Sequence, residues 1–275
     1  MNCRISRKVR CKKDRMPKSI AIVAIARKEN PYINTWIQYH RKLGIDHVYV
    51  YDNSHGDEER LKISRENSDY TTVIPAYDET CIQKRVYTSG YYDFGKFHDY
   101  LLFIDIDEFL TLMKHDNVSD YVEYLEKVCP GFHVARLHWE IYDDNDAVTR
   151  DTSIPVYQFF TRLASTERGL ENQTVTKSLV KTKLPGITFR SCHFPSSDSM
   201  ELINCNGNGE FINPDNQWIE PRAVEFAKLR HYVTKTISEF MEHSTLNADT
   251  GSVYDINTKF YKYNRKTPEK EAYYR

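Results

Sequence analysis

Three carboxylates, those of Asp105, Asp107 and Glu108, follow directly after the apolar run 100–104. Alternate side chains of an extended strand share a face, so we expect Asp105 and Asp107 to point the same way and Glu108 to point away from Asp107. Two neighbouring carboxylates repel each other unless a cation lies between them, and a hard divalent cation also binds phosphate oxygens. The pattern therefore predicts a metal and diphosphate site, with Glu108 in a supporting role.

The elements that must position these acids alternate between strand and helix. Apolar runs predict strands over 19–26, 47–51, 71–75 and 100–104. Helical spacing predicts a helix that starts at Asn30 and stops at Gly44, and another over 80–88. Such alternation implies right-handed crossovers and a mostly parallel central sheet with flanking helices, which is an α/β fold. Open α/β sheets bind ligands at the carboxyl ends of their strands, where the acids lie.

The second half of the chain has a less regular pattern. A helix is predicted over 119–128, an acidic loop over 142–146 and an Asn-Gly-rich turn over 204–209. Short strands are predicted over 133–139, 156–160, 177–181, 187–193 and 227–232. Helical segments are predicted over 237–246 and past residue 255. These later segments form a C-terminal elaboration of the sheet.

Composition indicates a globular protein with a basic leader. The 275 residues are 40% hydrophobic and 28% charged, and no apolar run approaches the roughly 18 residues that span a bilayer. Without a signal peptide the expected compartment is cytoplasmic. Residues 1–18 carry eight basic residues and one acidic residue, so this arm either contacts the inner face of a membrane or is a solvated leader. We expect a single domain over 19–250, a helical tail over 251–275 and six free cysteines.

Several segments together resemble the family-2-like and family-92-like glycosyltransferases of the GT-A fold. The resemblance lies in Ala24–Gly44, Val50–Ser54 and Phe103–Phe109, in that order. The later segments Leu137–Asp146 and Leu229–Thr236 are similar to bacterial members that build surface polysaccharides such as capsule or lipopolysaccharide. The resemblance covers most of residues 19–245.

This resemblance implies a sugar transfer with a defined set of partners. The donor would be a nucleotide-diphospho-sugar and the acceptor a hydroxyl of a glycan or lipid-linked glycan, with inversion at the anomeric centre and no nucleic acid involved. A divalent metal, Mn²⁺ or Mg²⁺, would be held by Asp107 directly, with Asp105 facing both ribose and metal. A late histidine, either His193 or His231, would complete the metal shell. The resemblance assigns the nucleotide pocket to residues that follow the first two strands, namely Ala24, Arg27, Glu29, Asp52 and Asn53.

In-line attack by a hydroxyl also needs a base, usually a carboxylate. Carboxylates that follow the strand ending at Trp139 should lie at the same mouth of the sheet, and Asp144 is preferred among them. The set consists of Glu140, Asp143, Asp144 and Asp146.

Other classes of protein remain open at this point. A phosphatase of the haloacid dehalogenase type also uses Asp-x-Asp, but on its first strand. A nucleotidyltransferase would need a glycine-rich basic loop, and 26–30 contains no glycine. A non-catalytic carbohydrate-binding protein or a nucleic-acid binder led by the basic arm is the remaining alternative.

Overall fold

The computed structural model of the protein describes residues 16–164, 174–213, 216–243 and 255–274. The strands are β1 (Ile20–Ala26), β2 (His47–Asp52), β3 (Thr71–Pro75), β4 (Tyr100–Phe103), β5 (Glu108–Leu112), β6 (Val134–Ile141), β7 (Thr176–Lys181), β8 (Ile187–Thr188), β9 (Ser196–Ser197), β10 (Asn204–Asn206), β11 (Phe211–Ile212) and β12 (Ala227–His231). The α-helices are α1 (Ile33–Lys42), α2 (Arg65–Ser68), α3 (Gln83–Phe94), α4 (Val118–Val128), α5 (Val156–Phe159), α6 (Ile237–His243), α7 (Tyr261–Tyr263) and α8 (Pro268–Tyr274). A 3₁₀ turn at Asp57–Glu59 and a π-helical turn at Ile256–Phe260 complete the assignment.

The central sheet has the strand order β11-β10-β6-β7-β4-β1-β2-β3. Strands β3, β2, β1 and β4 run parallel, whereas β7 lies antiparallel between β4 and β6. Strand β12 joins this sheet beside β6 and pairs on its other side with β5. The predicted fold class, α/β with a largely parallel central sheet and flanking helices, is confirmed.

The order of the strands reverses at β1. The chain passes from β1 to β2 and β3 on one side and then returns to place β4 on the other side. Val23 of β1 lies beside Phe103 of β4 in register, so the segments that follow Ala26 and Phe103 leave the sheet at the same edge. Such a reversal opens a crevice outside the carboxyl ends of the strands.

Strand β1 is buried on both faces, which explains its unbroken apolar sequence. Ile22 and Ala24 belong to the core cluster that α1 covers with Trp36, whereas Val23 belongs to the opposite cluster, which α3 covers with Tyr87. The side chain of Ala24 is therefore a core contact, and its place in a nucleotide pocket stays a prediction.

Several predicted elements differ from the structure. The run 156–160 forms the short helix α5 after Pro155, because periodicity does not distinguish strand from helix in so short a run. Helix α3 begins and ends later than predicted, and only Ile187–Thr188 of the predicted strand 187–193 is a strand. Gly44 stops α1 with a positive φ of 83°, as predicted. Asn30 does not cap α1, since its side chain bonds the backbone of the loop at Glu59–Lys62 instead.

The segment 255–274 packs onto the rest of the fold. Lys270 Nζ lies 2.5 Å from Asp144 Oδ2, and the side chain of Asn264 bonds Thr234 and the backbone of Asp144. The predicted boundary at residue 250 and residues 1–15 of the basic arm lie outside the described residues. Across the described ranges, no helix combines the length and apolar character needed to cross a membrane. Cys81, Cys129, Cys192 and Cys205 are free thiols, as predicted.

Candidate active site

The acidic motif lies in a tight turn between β4 and β5. Strand β4 ends at Phe103, and the backbone N–H of Glu108 donates to the carbonyl of Asp105 at 3.1 Å. The fully buried side chain of Glu108 accepts a hydrogen bond from the backbone N–H of Asp105 through Oε2 at 2.9 Å. The expectation of an extended strand through Asp107 is wrong, because the chain reverses to form β5. Both aspartates nevertheless remain at the carboxyl edge of the sheet, with Glu108 supporting the turn.

Asp105 is held by three side chains that come from two different elements. Oδ1 accepts from Gln83 Nε2 at 2.7 Å and from the Tyr87 hydroxyl at 3.0 Å, both on α3. Oδ2 accepts from Lys177 Nζ on β7 at 2.7 Å. Gln83, Tyr87 and Lys177 are buried, whereas the Asp105 side chain keeps 32% of its surface exposed. Asp105 is thus fixed in orientation while one side of its carboxylate faces outward.

Asp107 lies beside His231, which β12 brings to the same edge. The antiparallel register of β12 and β5 places His231 opposite Glu108, and the N–H of Tyr232 donates to the carbonyl of Asp107 at 3.0 Å. His231 Nε2 is 3.4 Å from Asp107 Oδ2. Burial alone would raise the pKa of Asp107, but His231, Lys235 and Lys177 together hold this pKa well below its ordinary value. Asp107 is therefore a carboxylate anion at neutral pH.

Lys235 and Glu29 contribute opposite charges near Asp107. Lys235 has a positive φ of 54°, is buried, and places its Nζ 4.6 Å from the ring centroid of Tyr32. Burial together with the charges of Asp107 and Asp105 raises the pKa of Glu29 to about 7, against the lowering effect of Lys235. The site therefore gathers charged groups from the ends of β1, β4 and β12.

Trp139 separates the two candidate histidines. Its ring centroid is 4.3 Å from that of His231 and 5.3 Å from that of His193. His193 Nδ1 bonds the carbonyl of Thr176 at 3.1 Å, and burial lowers the pKa of His193 to about 3. Of the two, His231 is the histidine in contact with Asp107, and His193 packs behind the indole.

Asp52 and Asn53 order the loop after β2. The carboxylate of Asp52 accepts from the backbone and hydroxyl of Ser54 and from the backbone N–H of Leu61. The amide nitrogen of Asn53 donates to the carbonyls of Ala76 and Glu79. Both side chains are buried and order the loop, and their contact with the nucleotide stays a prediction.

The acidic loop after β6 is an ion-pair cluster. Asp144 is fully buried against Lys270, and Asp143 and Asp146 each lie 2.6 Å from a guanidinium nitrogen of Arg162. All three carboxylates are paired with cations, and Asp144 is fully buried, whereas a base must reach the acceptor hydroxyl. The burial of Asp144 argues against it as the base, and the identity of the base stays a prediction.

Glu140 is also paired with a cation. Lys228 Nζ lies 2.6 Å from its Oε2, and the Tyr142 hydroxyl donates to the same oxygen. Glu140 follows Trp139 directly in β6, and neighbouring strand residues point to opposite faces. Since Trp139 faces His231, Glu140 points away from Asp107.

Asp107 and His231 offer one oxygen donor and one nitrogen donor to a cation. In the part of the chain that the structure describes, no cluster of three or more His, Cys, Asp or Glu side chains is placed to hold a metal without help. Divalent cations in diphosphate sites commonly use one or two protein ligands, with phosphate oxygens and waters completing the shell. Buried polar atoms without a hydrogen-bond partner among the described residues also lie at these strand ends, in Arg27 (Nε), Glu29 (Oε2), Trp139 (Nε1) and His231 (Nδ1). The residues present therefore fit a cation that is shared with a ligand.

The fold is α/β, and the charged side chains described above lie at the carboxyl edge of its sheet, beside the point where the strand order reverses. The sequence profile of glycosyltransferase family 92 matches residues 23–198, which is more than half of the chain. The protein belongs to this family, which confirms the resemblance that the sequence predicted. The phosphatase and nucleotidyltransferase alternatives are set aside.

Two solved structures are distantly similar to this chain. TarS of S. aureus is 14% identical with a TM-score of 0.33, over 48% of this chain and 23% of TarS. A mycobacterial protein is 14% identical with a TM-score of 0.31, over 60% of this chain and 53% of its own. The chain thus spans about a quarter of the first protein and about half of the second. No curated protein matches the sequence.

The roles of Lys177, Gln83 and Tyr87 in holding Asp105 were not predicted from the sequence. Lys177 was predicted only as the first residue of a strand, where a lysine is usually solvated. A signal was present, because Lys177 lies within the otherwise uncharged run 174–180. Gln83 and Tyr87 are four residues apart on α3, and this spacing brings them to one face.

Proposed function

We propose that this glycosyltransferase uses a nucleotide-diphospho-sugar donor and a divalent cation held by Asp107 and His231. The observation that carries the proposal is the 3.4 Å approach of His231 Nε2 to Asp107 Oδ2 at the crevice edge, with Lys235 close to both Glu29 and Asp107. A carboxylate and an imidazole are suitable ligands for Mn²⁺, and Mg²⁺ takes the carboxylate.

The proposed roles follow from charge. When bound, the cation supplies electrostatic stabilisation to the diphosphate that leaves as the glycosidic bond breaks. Lys235 adds a second positive charge on the same side, held in place by Tyr32 and the left-handed backbone conformation. Asp105, already fixed by Lys177, presents its exposed side to a hydroxyl of the donor. Arg27 and Glu29, at the end of β1, border the same crevice.

The acceptor and stereochemistry are carried over from the resemblance to the family. We infer in-line attack by an acceptor hydroxyl with inversion at the anomeric carbon, in the synthesis of a surface polysaccharide. Glycans and lipid-linked glycans are the acceptors to test first. The basic arm at residues 1–18 is the segment through which the protein would contact an anionic membrane.

A thermal-shift panel tests the proposal directly. UDP, GDP, TDP and CDP are each added with and without Mn²⁺, because a ligand that binds the native state raises its melting temperature by mass action. We expect one nucleoside diphosphate to stabilise the protein in the presence of Mn²⁺ and to lose most of this effect with a chelator. Equal melting temperatures across the whole panel would count against the donor assignment.

A further inference from the structure

Lys177 is a buried lysine at the junction of the two halves of the sheet. It lies on β7, the antiparallel strand between β4 and β6, with 1% of its side-chain surface exposed. Its Nζ lies 2.7 Å from Asp105 Oδ2, 3.9 Å from Glu108 Oε1 and 3.4 Å from the carbonyl of Cys192. A lysine with so little exposure is retained only where its charge is compensated.

The compensating charge is that of Asp105. The Oδ2 of Asp105 lies 2.7 Å from Lys177 Nζ, whereas Oε1 of Glu108 lies 3.9 Å away and its Oε2 accepts the backbone N–H of Asp105. Lys177 and Asp105 therefore form the close ion pair, and Glu108 holds the turn.

The ion pair limits what Asp105 can bind. A carboxylate has about four acceptor positions, and Gln83, Tyr87 and Lys177 occupy three of them. Lys177 already compensates the charge of Asp105, so a metal ion at the remaining acceptor position would be repelled by the ammonium group 2.7 Å from the same carboxylate. The remaining position faces the exposed side and suits one hydroxyl donor. Asp107 Oδ2 lies at the longer distance of 3.4 Å from His231 Nε2 and is less restrained than Asp105.

We propose that Lys177 is a positioning residue that fixes Asp105 as the acceptor for a hydroxyl of the nucleoside diphosphate and keeps Asp105 out of metal coordination. This inference rests on the proposed donor. The two aspartates then have different functions. Asp105 binds a hydroxyl of the nucleoside, and Asp107 binds the cation that contacts the diphosphate. In ligand binding Lys177 acts through Asp105, the carboxylate that its Nζ contacts at 2.7 Å.

Two probes separate these functions. A nucleoside diphosphate carries ribose hydroxyls, whereas inorganic pyrophosphate carries only the phosphate groups. The dissociation constants of both are measured in Mn²⁺ by isothermal titration calorimetry for wild type, Lys177→Met, Asp105→Asn and the double variant. Lys181→Met is the matched control, since Lys181 lies at the other end of β7 and has no contact with Asp105.

We expect Lys177→Met and Asp105→Asn each to weaken nucleoside diphosphate binding about 10- to 100-fold, the range for a hydrogen bond to a charged group. The double variant should bind within about twofold of Asp105→Asn, because residues that act through one interaction are not additive. Pyrophosphate affinity should be unchanged in all four proteins, and Lys181→Met should bind both probes as wild type does.

Three results would overturn the inference. The first is a wild-type affinity of Lys177→Met for the nucleoside diphosphate. The second is that Lys177→Met weakens this binding as much in the Asp105→Asn background as it does in the wild type. The third is a loss of pyrophosphate affinity as large as the loss of nucleoside diphosphate affinity. If Lys177→Met does not fold, Asp105→Asn is compared with the double variant, which removes both charges together. A further loss of affinity in the double variant then overturns the inference. If wild type binds neither probe, the donor assignment fails as well, whereas unaltered binding by folded Lys177→Met removes this inference alone.

Discussion

His231 Nε2 lies 3.4 Å from Oδ2 of Asp107, although His231 ends β12 and Asp107 lies in the turn before β5, the strand that pairs with β12. The backbone N–H of Tyr232 donates to the carbonyl of Asp107, so a backbone hydrogen bond and the side-chain contact both hold Asp107 beside the end of β12. This relationship places an imidazole next to the carboxylate at the crevice edge. Together they form the centre of the proposed cation site.

The two histidines beside Trp139 give a matched pair of variants. His231→Ala removes a proposed cation ligand, so we expect the affinity for Mn²⁺ with the nucleoside diphosphate to fall about tenfold or more. His193→Ala removes a ring that contacts Trp139 but not Asp107, and its affinity should stay within about twofold of wild type. Titration calorimetry measures both. Equal losses in the two variants would contradict the assignment of His231.

Asp144 is expected to affect stability and not ligand binding. Asp144→Asn removes the closer of two carboxylates beside the buried Lys270, the other being Asp146 at 3.5 Å, and we expect this to cost about 2 kcal/mol of unfolding free energy. Urea denaturation measures the loss, and Asp57→Asn, at a side chain that is 99% exposed, is the control with no measurable change. Folded Asp144→Asn should turn over at the wild-type rate. A normal stability combined with abolished turnover would restore Asp144 as the base.

Glu239 should contribute stability that depends on pH. It accepts hydrogen bonds from Arg150, Tyr32 and Thr236, and although burial opposes its charge, Arg150 and Thr236 lower its pKa below 4.5. The folded pKa is depressed, so this stability is present above the unfolded value and is lost as the pH falls through the folded pKa.

Glu239→Gln should therefore lower the unfolding free energy by about 3 kcal/mol near neutral pH. The difference from wild type should shrink once the pH falls below 4.5, because the wild-type carboxyl is then protonated too. Denaturation at a series of pH values measures this, with the exposed Glu242→Gln as control. A difference that stays constant down to acidic pH would show that the charge of Glu239 is unimportant.

The sequence was sufficient to predict the parallel half of the sheet. Residues 20–26 and 100–103 form buried strands because an unbroken apolar run of that length fits only between two covered faces. The same runs located the motif at the carboxyl edge, although the turn after Ile104 was not predicted. A turn requires β5 to pair with β12, and that long-range pairing has no local signal.

The side-chain partners could not be predicted from spacing. Asp144 faces Lys270 and Asp105 faces Lys177, and these lysines are remote in sequence from the acids that they neutralise. An acid in a loop was therefore interpreted as a solvated carboxylate able to act as a base, whereas the fold buries it in an ion pair. His231 was predicted as one of two options, and the distances distinguish it from His193.

The affinity of Asp107→Asn for Mn²⁺ in the presence of the stabilising nucleoside diphosphate tests the central claim most directly. The substitution keeps the size of the side chain and removes its charge, and Asp57→Asn is the surface control. Titration calorimetry should show at least about a tenfold loss of Mn²⁺ affinity for Asp107→Asn and none for the control. Wild-type Mn²⁺ affinity in folded Asp107→Asn would contradict the account.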